Sequence, residues 1–302
     1  MPARLILNAD DFGLTRGINR AVGELHSAGV LSSATLMAAG AAFDNAIEVA
    51  RTHPTLGVGC HIVLTDGTPV SPPATIPSLL GPDGKSLRPS LAGFVGAYLL
   101  GRIKQDEVAR EALAQIEKLQ RAGITITHLD THKHTHLFPS VAGTLMQVAE
   151  RCGIRAIRNP FEPGWSLTLG QGSRARRLAV RLIGRLRPSF EAHEEIRAGR
   201  LMTTDGTIAI SATGELNGAT LGKILRALPS SGTYELCCHP GYNDGDLDCV
   251  RTRLRAHREI ERAALLSEIP KALVLANGPL LVHYGSLAAE QISVAYTADV
   301  TS

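Results

Sequence analysis

Hydrophobic and polar positions switch between two periods along the chain. Residues 4–9 (RLILNA) form a short apolar run that predicts a buried strand ending at Asp10-Asp11. Residues 15–29 (TRGINRAVGELHSAG) carry apolar positions at helical spacing and stop at Gly29. The same reading predicts a strand over 31–40, a helix over 42–53 and a strand over 56–65. A loop rich in Pro and Gly follows over 65–84, and a loop of that length is usually functional or disordered. The clearest helix is 106–123, followed by a strand over 124–130 and a helix over 140–153. A short strand over 154–160, a strand over 233–241 and a helix over 250–268 complete the pattern. Alternating strands and helices predict an α/β fold built on a parallel sheet or barrel.

Segment 166–215 breaks the rhythm and contains a basic amphipathic stretch, GSRARRLAVRLIGRLRPSF, at 172–190. No internal repeat is visible, and no clear pattern continues beyond about residue 285. The expected organisation is therefore one catalytic domain over 1–285, with the basic segment inserted, and a C-terminal tail over 286–302.

Composition removes several classes. A length of 302 residues allows one barrel, and 44% apolar with 20% charged residues is ordinary for a globular protein. Aromatics at 4% argue against a nucleic-acid stacking platform, a net charge of +3 is too small to imply any partner by itself, and no nucleic-acid partner is expected. The five cysteines are odd in number and lack CxxC spacing, which argues against a disulfide framework and fits a reducing cytoplasm. The N-terminus MPARLILNADDFG lacks the layout of a secretory signal. The apolar stretch at 91–101 is too short to span a bilayer.

Chemistry-bearing residues gather at strand ends, where the loops of α/β folds converge. They are Asp10-Asp11, His61, the run HLDTHKHTH at 128–136, and His239. In an extended chain Asp130, His132, His134 and His136 share a face; in a helix His132 and His136 do. Either way two imidazoles converge, and a carboxylate such as Asp11 completes a three-ligand site open to water. Asp10, one step away, then suits a base for hydrolysis. Asp130 is placed to orient a ligating imidazole and Arg158 to hold Asp10 ionised. Plainer readings compete: aspartates capping the helix near Thr15, a core histidine at 61, a turn histidine at 239, a solvated loop at 128–136 and a surface arginine at 158.

Four stretches together resemble the YdjC-like carbohydrate deacetylase family: LILNADDFGLTRGINRAV (5–22), GVGCHIVLTDGTPV (57–70), THLDTHKHTHLFP (127–139) and CCHPGY (237–242). The resemblance implies a distorted (β/α) barrel of parallel strands related to polysaccharide deacetylases. It also implies a divalent metal, zinc first among Mg, Mn, Co and Ni, and removal of acetyl from an N-acetylated amino sugar. On this resemblance the metal ligands fall on Asp11, His61 and His132, the base on Asp10 and the acid on His239. His136 sits where related deacetylases carry the second histidine of an HxxxH motif. Thr131 is a mild departure from the family pattern; the basic segment and the longer C-terminus, with the overall likeness, suggest the hopanoid-biosynthesis-associated branch. The implied substrate is then an N-acetylglucosaminyl hopanoid glycolipid, with peripheral contact at the inner face of the membrane and room for a homodimer. Competing substrates are soluble chitooligosaccharides; competing classes are a two-metal phosphoesterase, a sugar isomerase and a binding protein without turnover.

Overall fold

A computed structural model describes residues 2–170 and 173–289. The strands are β1 (Arg4–Phe12), β2 (Ser33–Leu36), β3 (Gly57–Ile62), β4 (Leu129–Thr131), β5 (Gly206–Ile208), β6 (Thr233–Cys238) and β7 (Leu280–Leu281). Their order is β4-β3-β2-β1-β6-β5, all pairs are parallel, and β7 joins the first residues of β1. The sheet curls into an open half-barrel, the α/β architecture expected from the sequence. The helices are α1 (Arg16–Ser27), α2 (Phe43–Thr52), α3 (Leu91–Leu99), α4 (Gln105–Arg121), α5 (Pro139–Arg151), α6 (Arg174–Ile183), α7 (Arg187–Glu191), α8 (Glu194–Arg197), α9 (Gly218–Arg226), α10 (Gly245–Asp248) and α11 (Ala256–Leu273). The basic stretch forms α6, capped by Ser173, a 3-10 turn over Gly184–Leu186, and most of α7; its Gly172 lies outside the described residues. The expected tail over 286–302 lies outside them from residue 290 onward.

Strand parity decides what the half-barrel contains. Successive side chains on a strand point to opposite faces. On β1, Leu5, Leu7 and Ala9 pack into the main apolar core between sheet and helices. The alternate residues Asn8 and Asp10 turn inward. On β6, Leu236 and Cys238 face that core, while Glu235 and Cys237 meet Arg158 and Asp10 inside. On β3, Val58, Cys60 and Ile62 face out and His61 faces in; on β4, Leu129 faces out and Asp130 in. The apolar shell thus supplies most of the folding free energy, at roughly 25 cal/mol per Å² of apolar surface buried. The lumen holds polar and charged groups, and Ile6, Ala156, Val282, Tyr284 and Leu287 close its lower end.

Every predicted strand after the first comes out shorter, among them β2, expected over 31–40 and observed over Ser33–Leu36, and two more depart further. The strand expected at 124–130 begins only at Leu129 and ends at Thr131. The one expected at 154–160 is reduced to bridges from Ala156 to Met202 and from Ile157 to Leu129. Beyond them, Asn159 bonds Thr204 and Thr207 through its amide and carbonyl, and Pro160 has no N–H to offer a ladder. The long loop is ordered rather than loose. Glu111 accepts the backbone N–H groups of Val70 and Ser71, Glu107 that of Ser78, and Gln115 bonds both backbone groups of Val63.

Candidate active site

Asp10 and Asp11 are neighbours on one strand, so regular pleating would send them to opposite faces. The backbone resolves this. Asp11 has a left-handed φ of 65°, and the pairing register of β1 with β2 shifts between Ala9 and Phe12. This irregularity turns Asp11 into the lumen beside Asp10. Neither caps α1, because the Thr15 hydroxyl accepts the Ile18 N–H and does that work.

The histidine run adopts neither of the two regular forms considered for it. Lys133 and His134 have φ of 57° and 52°, a tight left-handed turn within residues 132–137. The turn separates the three histidines. His132 Nδ1 lies 3.3 Å from Asp11 Oδ1, and the His132 ring is 5.5 Å from that of His61. His136 instead bonds Thr131 Oγ1 through Nδ1 at 2.6 Å, and its Nε2 has no partner. Lys133 bonds Asp66, tying this turn to the loop after β3.

His61 is fully buried, and its orientation fixes its tautomer. Asp130 Oδ1 lies 2.7 Å from Nδ1 and is the acceptor for its proton. The neutral ring therefore presents the Nε2 lone pair toward Asp11 Oδ1, 3.8 Å away. A lone pair facing a carboxylate is repulsive unless a positive charge lies between them. In the absence of a metal that charge is a proton: burial opposes it, yet Asp130, Asp10 and Asp11 raise the His61 pKa to about 9. A divalent cation meets the same need. The ligand atoms of Asp11, His61 and His132 lie within 4.8 Å of one another, and two imidazoles with one carboxylate suit such an ion. The wider charge balance agrees: buried Asp10, Asp11 and Asp130 share the buried guanidiniums of Arg158 and Arg258 with Glu235, whose carboxyl burial pushes up. The donor set thus fits a divalent metal. His136 is not among the side chains grouped around Asp11.

Asp10 has different partners. Arg158, fully buried, donates Nη1 to Asp10 Oδ2 at 2.9 Å and Nη2 to Oδ1 at 2.6 Å. Asn8 donates to Oδ1 at 2.9 Å, and Cys237 Sγ lies 3.3 Å from Oδ2. Burial opposes ionisation, but the guanidinium outweighs it and holds the carboxyl well below its usual range. Asp11 is held ionised in the same way by Arg258, whose Nη2 donates to Oδ2 at 2.6 Å. His239 Nε2 lies 4.0 Å from Asp10 Oδ2. Glu261 accepts the backbone N–H of His239 at 2.6 Å and lies 3.9 Å from its Nδ1.

The fold therefore brings Asp10, Asp11, His61, Asp130, His132, Arg158 and His239 to one end of the lumen, and leaves His136 to one side. Sequence reasoning missed Arg258, Glu261, Glu235 and Thr35. Thr35 Oγ1 reaches Asp130 Oδ2 at 3.1 Å and Asp10 Oδ1 at 3.4 Å. Glu235 carried a readable signal, a single charge inside the apolar strand TYELCC. Arg258 and Glu261 carried another, at the spacing of α11's buried face with Leu265.

A solved Enterococcus faecalis V583 protein, named provisionally for cellobiose-phosphate cleavage, superposes with a TM-score of 0.76 and 26% identity, covering 95% of this chain and 99% of that one. A carbohydrate deacetylase of Thermoanaerobacter pseudethanolicus is 29% identical over 94% of this chain and 98% of its own length. One from Mus musculus is 32% identical over 79% of this chain and 78% of its own. Matches to the carbohydrate deacetylases of Brevibacillus brevis, at 40% identity, and Geobacillus stearothermophilus, at 42%, span 52% and 50% of this chain and only 60% and 58% of those proteins. The family model for YdjC-like protein matches residues 4–276, and the chain belongs to that family.

Proposed function

We propose that the protein is a metal-dependent carbohydrate deacetylase that hydrolyses the acetamide of an N-acetylated amino sugar. The observation that carries this reading is the division of labour between adjacent aspartates: Asp11 faces two imidazoles, while Asp10 faces a guanidinium and His239. The names of the family relatives support it. A divalent cation, zinc by donor type, held by Asp11, His61 and His132 would polarise the amide carbonyl and lower the pKa of water from 15.7 to about 7.

This chain's own residues then handle the protons. Asp10, kept ionised by Arg158, accepts the proton of the attacking water at Oδ2, the oxygen that faces His239. His239 supplies a proton to the departing amine, which is a poor leaving group until protonated. Glu261 fixes the turn that carries His239, and Asp130 fixes the tautomer of His61. A two-metal phosphoesterase is less favoured, because Asp10, shared by the two further groups of possible ligands (with His61 and Asp130, and with Cys237 and His239), already accepts Arg158 at both oxygens.

The amino sugar is proposed to be lipid-linked, as in the hopanoid glycolipid that the sequence resemblance implies. α6 supports this. Leu178 and Leu182, 58% and 47% exposed, lie with Ala175 and Ala179 on a face flanked by exposed Arg174, Arg181 and Arg185. Such a face suits an anionic bilayer surface. Arg176 of the same helix donates to the Thr213 carbonyl, which ties α6 to the loop before α9. Among the described residues no helix is long and apolar enough to cross a membrane.

The test is acetate release and loss of one acetyl group by mass spectrometry, with chitobiose and an N-acetylglucosaminyl hopanoid in vesicles as parallel substrates. Deacetylation of the vesicle-borne substrate in preference supports the full reading. Deacetylation of chitobiose alone removes the lipid. No deacetylation of either by metal-loaded protein overturns the activity.

A further inference from the structure

We infer that Tyr284 is a positioning residue for the active site, acting through Glu235 and Arg158 on Asp10; this rests on Asp10 having the role proposed above. Tyr284 lies beyond the span matched by the family model, in a segment that enters the half-barrel from below. Leu280 donates its N–H to Ala3 and Val282 donates to Leu5, which lays this segment alongside the start of β1. The Tyr284 ring is 1% exposed and stacks on His128 with centroids 4.1 Å apart. Its hydroxyl donates to Glu235 Oε2 at 2.5 Å.

Among the described residues no other hydrogen bond reaches that oxygen. Its Oε1 accepts both Nε of Arg158, at 2.8 Å, and Nη2. Arg158 turns its remaining donors to Asp10 and to Asp130 Oδ2, the latter at 2.6 Å. A guanidinium is planar and rigid, so the direction of its Glu235 edge sets the direction of its Asp10 edge. With the tyrosine hydroxyl in place, Glu235 is pinned by one oxygen on each side. Without it, a buried carboxylate oxygen loses its donor. The carboxylate then rotates toward Arg158 or takes up a proton, and either change moves the guanidinium against Asp10. Tyr284→Phe removes only the hydroxyl and keeps the ring on His128.

The experiment uses the full-length Tyr284→Phe protein, with Glu235→Gln and the double variant. The buried Arg158 Nε–H is followed by ¹⁵N NMR, assigned through Arg158→Lys, and kcat and KM are measured on whichever substrate the wild type deacetylates. We expect the Arg158 signal to shift and exchange faster in Tyr284→Phe, with kcat lower by about 10–100-fold and KM within about twofold. We expect the loss to vanish when Glu235 is already Gln. An unmoved Arg158 signal, an unchanged kcat, or losses that multiply in the double variant would overturn the inference. A plug that only closed the barrel would lower stability in Tyr284→Ala and leave the Tyr284→Phe signal where it is. If the wild type deacetylates nothing, the proposed activity fails separately, and the NMR signal alone decides whether Tyr284 sets Arg158.

Discussion

Replacing Arg158 with Met keeps the bulk of the side chain and removes its charge. The guanidinium is fully buried and bonded to Asp10, Asp130 and Glu235. Removing one partner of a buried ion pair costs about 3–5 kcal/mol, because the other charge stays buried without compensation. Here three carboxylates lose a shared partner, so the loss should fall at the upper end, about 5 kcal/mol at pH 7. The pH dependence gives the sharper test. In the wild type the folded-state pKa of Asp10 is depressed, so its contribution is present above the unfolded value of about 3.9 and is lost as pH falls. In the variant the unpartnered carboxylates have raised folded-state pKa values, so stability is lost as pH rises through them. The gap between the two proteins should be widest at neutral pH, narrow as falling pH protonates the variant's carboxylates, and close only below about pH 4, where Asp10 of the wild type is protonated too. Urea melts from pH 4 to 8, under identical metal conditions, measure it. A loss below about 1 kcal/mol at pH 7, or a gap that does not change with pH, would refute the idea that this charge network is held by Arg158.

Other outcomes follow from the same geometry. Asp10→Asn should keep its metal by elemental analysis while kcat falls by at least about 10²-fold. His132→Ala should lose metal, whereas His136→Ala should retain it; the opposite pattern would move the centre to the second histidine. Gly59→Ala places a Cβ 2.4 Å from the His128 ring, so chemical denaturation should show a loss of about 1–3 kcal/mol. Leu178→Glu with Leu182→Glu should leave turnover of chitobiose unchanged and lower turnover of a vesicle-borne substrate, read in the same acetate assay.

Much of the site was legible because strand ends carry it. Asp10-Asp11, His61, Asp130 and His239 follow apolar runs, and apolar runs are what periodicity detects. The convergence of two adjacent aspartates was not legible, because a left-handed φ at Asp11 leaves no mark on the hydropathy pattern. Nor was the histidine turn: an HxHxH run reads equally as strand or helix, and only the left-handed Lys133 and His134 separate His132 from His136. Arg158 was visible as a candidate but not as a hub, since its partners come from β1, β4 and β6. The expected strand around it shrank because only residues 155–158 bond the backbones of Leu129 and Met202, and from Asn159 onward the chain turns to the Thr207 hydroxyl instead. Glu107, Glu111 and Gln115 on α4 looked like an ordinary polar helix face; their buried positions fasten the long loop.

The sorting of β1 by parity makes the length of that strand unforgiving. One residue inserted just before Asn8 would hand Ala9 to the lumen and press Asn8 and Asp10 into the apolar layer. Such a change would unfold the chain before its chemistry could be measured. Insertions in this family should therefore gather in the loops and avoid β1, and a homologue with a shifted first strand should have lost both aspartates together.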